Sequence, residues 1–246
     1  MCVQINNEIY HELKEKWYES DNNPIALLRI ESKVKIKYIV EKINEKYGNA
    51  KVKILDVGCG AGFISNELAL QGHQVTGLDV SAESLEIAKL YDKTGQVNYI
   101  VGDAYNLNLP LESYDIVIAL DFLEHVDDPK KTIEEMSKVL KKDGLCFFHT
   151  FNRNILSWFV IIKMVEWLVP NTPKNLHLLN LFIKPKELKE YCAENSIAEV
   201  ETIGIKANVF SRAVVKGVFQ RKVPKDFSFS LTKSTLLSYM MYGSKN

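Results

Sequence analysis

The sequence predicts an α/β fold in which a doubly wound, mostly parallel sheet carries helices on both faces. Three observations support this prediction. Short apolar runs alternate with helical stretches between residues 53 and 151, a rhythm typical of parallel strands joined by crossover helices. A glycine-rich turn follows the first apolar run. A chain of 246 residues is long enough for one sizeable core but too short for two ordinary enzyme domains.

Helices precede the sheet in the predicted order. Apolar residues at helical spacing predict a first helix over 7–16 and a second over 25–47, which Gly48 ends. The predicted strands lie at 53–57, 74–78, 97–101, 114–120 and 144–151. The predicted helices between them lie at 63–71, 82–90 and 130–140.

The rhythm changes after residue 152. An apolar helix is expected over 155–169, then a loop over 170–180 and a helix that begins after Pro185 and ends near Asn195. Two late strands are predicted at 199–204 and 236–243. We therefore predict a single domain over 1–246, with N-terminal helices (1–50), a ligand-binding core (51–153), a helical insertion (154–195) and C-terminal strands (196–246).

Composition excludes several classes of protein. The 31 basic residues balance the 31 acidic ones, so the chain lacks the net positive charge typical of proteins that bind nucleic acids. The four cysteines form no C-x-x-C pair, and the first residues lack the pattern of a signal peptide, which predicts free thiols in a reducing cytoplasm. Lys163 and Glu166 interrupt the longest apolar stretch, which is shorter than the roughly 20 residues of a membrane span.

The glycine-rich turn is the strongest local motif. Gly58, Gly60 and Gly62 follow a buried strand and allow a ligand to approach the backbone closely. A dinucleotide site needs a third glycine at position 63, where this chain has Phe63. Asp56 precedes the loop, and an acid there suits a ligand that carries positive charge rather than a pyrophosphate.

Acidic residues follow three successive strands of the predicted sheet. Asp56 and Asp79 end the first and second strands, and Asp103 follows the third. Val80 and Ala104, the next residues after Asp79 and Asp103, are expected to contact the ligand as well. The carboxyl ends of such strands form the ligand site of an open parallel sheet. We predict that Asp56 accepts hydrogen bonds from the amino group of S-adenosylmethionine, Asp79 from its ribose hydroxyls and Asp103 from its adenine amino group.

Four further motifs point to a family: Leu55-Asp56-Val57-Gly58-Cys59-Gly60, Leu123-Glu124-His125-Val126, Thr150-Phe151-Asn152-Arg153-Asn154 and Phe182-Ile183-Lys184-Pro185. With them, the chain resembles the ubiquinone-biosynthesis O-methyltransferases, which are class I S-adenosylmethionine-dependent enzymes. The resemblance implies a Rossmann-like sheet of the class I methyltransferase type with a helical insertion after its fifth strand. It also implies that Gly58, Asp79, Leu120 and Lys35 contact the cofactor.

The same resemblance implies a reaction centre after the fourth strand. The family carries Glu-x-x-Glu-His there and is associated with a divalent metal, so Asp121, Glu124 and His125 are the expected ligands of Mg²⁺ or Zn²⁺. A second hypothesis keeps His125 and Glu124 as the catalytic residues, with His125 as general base. A third interpretation is that this short cluster only caps a turn. His149, Asn152 and His177 are the expected residues of the acceptor pocket.

The predicted activity is methyl transfer from S-adenosylmethionine to a phenolic or catechol hydroxyl, with a polyprenyl catechol of ubiquinone biosynthesis as the favoured acceptor. The alternative is O- or N-methylation of another small metabolite on the same fold. Nucleic acid is not an expected substrate, since no Pro-Pro-Tyr/Phe element follows the fourth strand. The wide apolar surface of helix 155–169 predicts a lid, and segment 155–180 is a candidate for peripheral contact with the inner face of a membrane.

Overall fold

The computed structural model describes residues 5–7, 10, 13–209, 217, 222–224 and 226–246. One eight-stranded sheet runs through them, in the spatial order β3-β2-β1-β4-β5-β8-β6-β7. Its strands are β1 (Lys53–Val57), β2 (Gln74–Asp79), β3 (Asn98–Val101), β4 (Tyr114–Leu120), β5 (Leu140–Phe151), β6 (Ile197–Ala207), β7 (Phe229–Thr232) and β8 (Ser238–Lys245).

Helices connect and precede these strands. They are α1 (Lys16–Glu19), α2 (Pro24–Tyr47), α3 (Phe63–Leu70), α4 (Ala82–Tyr91), α5 (Pro129–Val139) and α6 (Pro185–Glu194), besides a helical segment over 155–168. Short polar side chains begin several of them. The Asn23 side chain accepts a hydrogen bond from the Ala26 backbone N–H at the start of α2. The Asp128 side chain accepts one from the Lys131 backbone N–H at the start of α5. Proline follows both caps, where its fixed φ suits the first helical turn.

The first five strands run parallel and the last three complete the sheet antiparallel. β1 lies in parallel register between β2 and β4, and β5 pairs parallel with β4. β8 inserts between β5 and β6 and is antiparallel to both. This is the predicted doubly wound, mostly parallel arrangement, and it brings the carboxyl ends of β1, β2 and β4 to one edge.

Each face of the sheet is covered by its own apolar core. Alternate residues of β1 and β4, such as Leu55 and Val117, pack on one face with α5 and α6. Ile54 and Ile118 point to the opposite face, where they meet α2 and α3. Because β1 and β4 are buried on both faces, they have the continuous apolar sequences from which they were predicted.

Several element boundaries differ from the sequence prediction. β5 begins at Leu140, immediately after α5, rather than at residue 144. The predicted helix over 7–16 does not continue through its second half, because Lys14 has φ +45° and such a residue ends a right-handed helix. Residues 8, 9, 11 and 12 of that prediction lie outside the described part. β7 was not predicted: it has only four residues, and all four are half-buried.

The segment over 155–168 contains more than the single predicted α-helix. It consists of an α-helical turn (Ile155–Ser157), a π-helical stretch (Trp158–Met164) and a second α-helical turn (Val165–Leu168). π-helical stretches are rare and occur frequently at functional sites. Within the described chain, no helix has the length and apolarity needed to cross a bilayer. Cys59, Cys146 and Cys192 are free thiols, whereas Cys2 lies outside the described residues.

Gly62 is required for packing behind the glycine-rich turn. Its φ is +78°, and a Cβ built there would lie 2.3 Å from the Tyr99 hydroxyl oxygen and 2.9 Å from Ala88 Cβ. It was predicted to bind the cofactor, but its environment is the contact between α3, α4 and β3. The positive φ explains why glycine stands at the start of α3.

We expect Gly62→Ala to lower the free energy of unfolding by roughly 2–4 kcal/mol, because it adds overpacking to the penalty of a left-handed backbone. Urea denaturation without cofactor measures this change. Gly95→Ala is the matched control, since Gly95 has φ +62° and a Cβ at that position would meet only open space. The control should lose only about 1 kcal/mol; equal losses in the two variants would contradict the packing role.

Candidate functional site

The glycine-rich loop between β1 and α3 is fixed to the end of β2. The backbone N–H groups of Gly58 and Cys59 both donate to the Leu78 carbonyl oxygen, at 2.8 and 3.1 Å. The Gly60 N–H donates to Asp79 Oδ2 at 2.8 Å. The acid at the end of β2 therefore holds the loop in shape in addition to facing the ligand cavity.

Gly58 allows a close approach at the centre of this loop. Its φ is +70°, and a Cβ there would lie 2.1 Å from the Phe122 ring. Phe122 follows β4, so the loop and the end of β4 pack together only because residue 58 has no side chain. This contact brings the strand ends of β1 and β4 into one wall.

Asp56 is buried beneath the loop at the end of β1. Its Oδ2 accepts from the Ser65 hydroxyl at 2.6 Å, a contact that the sequence did not suggest. Burial raises the pKa of Asp56 to about 7, and the Ser65 hydrogen bond opposes part of that rise. A cationic ligand nearby would favour the ionised form, as expected for an acid that faces the amino group of S-adenosylmethionine.

Asp79 and Asp103 lie at the same edge of the sheet. Asp79 Oδ1 accepts from the Ser81 N–H at 2.9 Å, and Asp103 Oδ1 accepts from the Tyr105 N–H at 2.8 Å. Asp103 is exposed, whereas Asp56 is buried. Backbone groups thus orient both carboxylates, and the predicted positions of the three acids converge on one cavity.

A cavity of about 560 Å³ opens along these strand ends, and we call it the central cavity. Most of the predicted cofactor residues line it: Asp56, Gly58, Gly60, Asp79, Val80, Asp103, Ala104 and Leu120. A row of carboxylates beside a glycine loop without side chains suits a cationic nucleoside such as S-adenosylmethionine. Gly62 and Lys35, both within the described part of the chain, are not among the lining residues.

Lys35 occupies a buried position under the cavity and does not face the cofactor region, contrary to the prediction. Its side chain is fully buried, and Nζ donates to both carboxylate oxygens of Asp121 at 2.6 Å. Nζ also donates to Glu31 Oε2 at 3.0 Å, one helical turn earlier in α2. The ammonium group joins α2 to the end of β4 through a contact that spans 86 positions of sequence.

His149 joins the same buried group from β5. Its Nδ1 lies 2.6 Å from Asp121 Oδ1, and its Nε2 lies 3.7 Å from Glu31 Oε1. The prediction placed His149 in the acceptor pocket, but the ring is fully buried behind Asp121 and is not among the lining residues that the structure describes. We call Glu31, Lys35, Asp121 and His149 the charged cluster.

In the charged cluster, charge pairing shifts the pKa values of Asp121 and Lys35 more than burial does. Burial would raise the pKa of the Asp121 carboxyl, but Lys35 and His149 hold it well below its usual range. Burial would likewise lower the pKa of Lys35, yet Asp121 and Glu31 raise it above its ordinary value. Both groups are therefore ionised at neutral pH.

The predicted metal ligands do not form a metal site. The acid and histidine donor atoms that converge within 4.8 Å, among the residues described, belong to Glu31, Asp121 and His149 rather than to Asp121, Glu124 and His125. A cation already neutralises this alternative set, because the Lys35 ammonium contacts two of its three members. The residues of this set therefore do not fit a divalent ion.

Glu124 lies in a short 3₁₀ turn (Leu123–His125) and is completely buried. Neither of its carboxylate oxygens has a hydrogen-bond partner among the residues that the structure describes. Burial, aided by the charge of Asp121, raises the pKa of Glu124 to about 8. Burial therefore favours the protonated, neutral form of the Glu124 carboxyl.

His125 has polar partners from the N-terminal segment. Its Nδ1 lies 3.0 Å from Asn7 Oδ1, and its Nε2 lies 3.4 Å from the Tyr10 hydroxyl oxygen. Burial lowers the pKa of His125 to about 4, an effect that Asp121 only partly opposes. The imidazole that lines the central cavity is thus neutral at neutral pH.

The two other acceptor-pocket residues have different environments. His177 lines the central cavity, and its ring centroid lies 5.3 Å from that of His125. Burial and the neighbouring His125 lower the pKa of His177 to about 3, so it too is neutral. Asn152 instead donates from Nδ2 to the Thr235 carbonyl at 2.9 Å and holds the loop before β8, outside the described lining of the cavity.

Sequence reasoning missed several residues of the site. Glu31 stands four positions before Lys35, so its helical pairing with Lys35 was visible as a pattern. Ser65 lies in the first turn of α3, nine positions after Asp56, and no spacing rule connects the two residues. Asn7 and Tyr10 carried no such signal, because they lie more than 110 positions from His125 in the chain.

We expect Lys35→Met to destabilise the protein by roughly 3–5 kcal/mol, because it leaves the Asp121 carboxylate buried without its cation. Adding Asp121→Asn should recover part of that loss, since the unpaired charge is then absent. Urea denaturation at neutral pH measures both changes.

Lys37→Met is the control for this experiment, because Lys37 is exposed on the same helix. It should change the free energy of unfolding by about 0.5 kcal/mol or less. A Lys35→Met variant as stable as this control would show that the buried ion pair does not form.

Sequence comparisons agree with this site. A family model described as "Methyltransferase domain" matches residues 55–148, which include the glycine-rich loop and the turn with His125. The ubiquinone biosynthesis O-methyltransferase of Proteus mirabilis is 34% identical over 203 residues, with 81% of each chain covered. The protein of the same name from Photorhabdus laumondii is 30% identical over 239 residues, with 96% of this chain and 91% of that protein covered.

Solved structures share the fold at lower identity. Magnesium protoporphyrin IX methyltransferase from Synechocystis, solved with bound SAH, has a TM-score of 0.66 and 15% identity; the alignment covers 98% of this chain and 100% of that one. A possible histamine N-methyltransferase from Thermotoga maritima has a TM-score of 0.64 and 16% identity, with 97% and 99% covered. The sheet, the loop that lines the cavity and the relatives together lead to one assignment. The chain belongs to the family of the ubiquinone biosynthesis O-methyltransferases and is a class I S-adenosylmethionine-dependent O-methyltransferase.

Proposed function

We propose that the methyl acceptor is a phenolic hydroxyl on a catechol ring that carries a polyprenyl tail, as in a ubiquinone precursor. One observation carries the proposal: a neutral, half-buried imidazole, that of His125, lines the central cavity with its Nε2 next to a phenolic hydroxyl, that of Tyr10. The relatives' names point to the same chemistry.

The shape and polarity of the central cavity suit such an acceptor. The side chains that helix 155–168 contributes to the lining are apolar, as are several from the C-terminal strands; they include Val160, Ile161, Met164, Val165, Ala207 and Phe229. An aromatic ring, Phe151, lines the cavity near His177, with 5.1 Å between the ring centroids. This lining matches an acceptor whose aromatic ring lies between aromatic side chains and whose apolar tail contacts the apolar ones.

The residues divide the work of the reaction between them. S-adenosylmethionine, when bound, supplies an electrophilic methyl group. Gly58, Gly60 and Asp79 are placed to hold it, and apolar side chains line the acceptor side of the cavity. His125 Nε2 takes the proton of the acceptor hydroxyl, which makes the oxygen a better nucleophile. The charged cluster keeps the end of β4 rigid beneath both ligands.

A panel of acceptors tests this function. We expect turnover with polyprenylated catechols, weaker turnover with short catechols and little with monophenols or amines. His125→Gln should lower kcat/KM for the catechol by roughly 10²–10⁴-fold, because the proton acceptor is lost. A chelator should leave the rate unchanged, because the Lys35 ammonium group already neutralises the carboxylates of Glu31 and Asp121.

His73→Gln is the control, because His73 lies before β2 and its Nδ1 accepts from the Val52 backbone N–H. It should retain the parental rate. Full activity of His125→Gln would refute the general base. Efficient turnover of an amine in place of the catechol would favour the alternative that the acceptor is another small metabolite. Loss of activity in the presence of a chelator would support the hypothesis that a divalent metal is required.

We further propose that the outer side of helix 155–168 contacts a membrane surface, where a polyprenyl substrate resides. Trp158, Phe159 and Trp167 are 40, 43 and 67% exposed there. Other residues of the same helix line the central cavity, including Ile161 and Met164. A helix with apolar side chains both inward and outward can lie in a lipid interface above the cavity. Such contact would make this protein peripheral on the cytoplasmic face.

Flotation with phosphatidylethanolamine–phosphatidylglycerol vesicles measures this contact. Serine at positions 158, 159 and 167 should reduce the bound fraction at least about tenfold, because interfacial binding scales with buried apolar area. The matched control places serine at Leu90, Leu111 and Val200, which are 68, 71 and 55% exposed elsewhere on the surface. Equal recovery of both triple variants with the vesicles would contradict the proposal.

A further inference from the structure

The Asn7 side chain contacts both the ring and the backbone of His125. Asn7 Nδ2 donates to the His125 carbonyl oxygen at 3.3 Å, and Asn7 Oδ1 lies 3.0 Å from His125 Nδ1. A backbone carbonyl can only accept, so the amide nitrogen must face it. The amide oxygen is then left facing Nδ1 and can only accept in turn. This pair of contacts requires the hydrogen to be on Nδ1.

That assignment determines which nitrogen of His125 is basic. A neutral imidazole has one N–H, so an Nδ1–H leaves Nε2 with its lone pair. Nε2 is the atom that lies 3.4 Å from the Tyr10 hydroxyl oxygen. The tautomer that Asn7 selects is therefore the one in which Nε2 can receive a proton from a phenol.

Other contacts keep Asn7 and the ring in this arrangement. The Asn6 backbone N–H donates to the Asn175 carbonyl at 2.9 Å, and the Ser84 hydroxyl donates to the Tyr10 carbonyl at 3.0 Å. The Tyr10 ring meets the His125 ring edge-on, with 5.4 Å between the centroids. The N-terminal segment is thus anchored on both sides of Asn7.

We propose that Asn7 is a positioning residue that holds His125 in the Nδ1–H tautomer and aims Nε2 at the acceptor hydroxyl. The inference rests on the proposed function of His125 as general base. As the oxygen–carbon bond forms and the sulfur–carbon bond breaks, the hydroxyl proton moves to Nε2. The positive charge passes from the sulfonium to the imidazolium, whose Nδ1–H remains hydrogen-bonded to the Asn7 oxygen.

Three variants of the full chain test the proposal. Asn7→Leu has similar size without donor or acceptor, whereas Asn7→Asp keeps an oxygen for Nδ1–H. Asn22→Leu is the control, because Asn22 is exposed and its side chain accepts only from the Ser20 hydroxyl among the contacts described. ¹⁵N NMR of protein with labelled histidine reports the tautomer, and subtraction of the His125→Gln spectrum assigns the His125 signals.

We expect Asn7→Leu to lose the pure Nδ1–H signature and to lower kcat by roughly 10–100-fold, a part of the 10²–10⁴-fold that a general base contributes. The affinity for S-adenosylmethionine, measured by calorimetry, should stay within about twofold, because Asn7 contacts the base rather than the glycine loop. Asn7→Asp should keep the Nδ1–H signature and most of the rate, and Asn22→Leu should match the parent.

Two results separate the possible failures. Full activity of His125→Gln would overturn the general base and, with it, this use of Asn7. A slow His125→Gln together with a fast Asn7→Leu, or with an Asn7→Leu whose tautomer is unchanged, would overturn the positioning role alone. Thermal unfolding of each variant by circular dichroism shows whether a lost rate reflects a lost fold, and Asn7→Asp then decides the question in a folded protein.

Discussion

The structure depends on one buried cation. Lys35 brings a positive charge from α2 into a position without solvent, where two carboxylates compensate it. An unpaired charge at that depth would be strongly unfavourable, so α2, β4 and β5 must meet in one arrangement for the pairing to form. Asp121 has φ +54°, a backbone conformation that costs energy and that its contacts with Lys35 and His149 maintain. The floor of the central cavity follows from this arrangement.

The reaction side of the cavity is assembled from distant parts of the chain. The glycine loop and the strand-end acids belong to the parallel half of the sheet, whereas partners of His125 come from the first ten residues. His177 comes from the segment between the apolar helix and α6. The cofactor half is therefore complete within one stretch of sequence, and the acceptor half requires the segments on both sides of that stretch to fold onto it.

The sequence predicted the central parallel strands well, because β1 and β4 are buried on both faces and have continuous apolar runs. It also predicted the glycine loop and Asp79, whose roles depend on neighbours in the chain. It failed where a role depends on a partner far away. Lys35 was predicted to contact the cofactor and His149 to line the acceptor pocket, but both side chains pair with Asp121 instead. No spacing rule connects either residue to Asp121. The 3.0 Å contact of His125 with Asn7 was invisible for the same reason.

The position of β8 has a consequence for how this protein is made. β8 follows β6 and β7 in the chain, yet it lies between β5 and β6 in the sheet. Because β6 is joined to β5 through β8, the hairpin of β6 and β7 cannot attach to the parallel strands before residues 238–245 have been synthesised. Until residues 238–245 emerge, β5 keeps an unpaired edge of buried apolar residues. A nascent chain paused at that stage would offer a template for aggregation and a binding site for a chaperone.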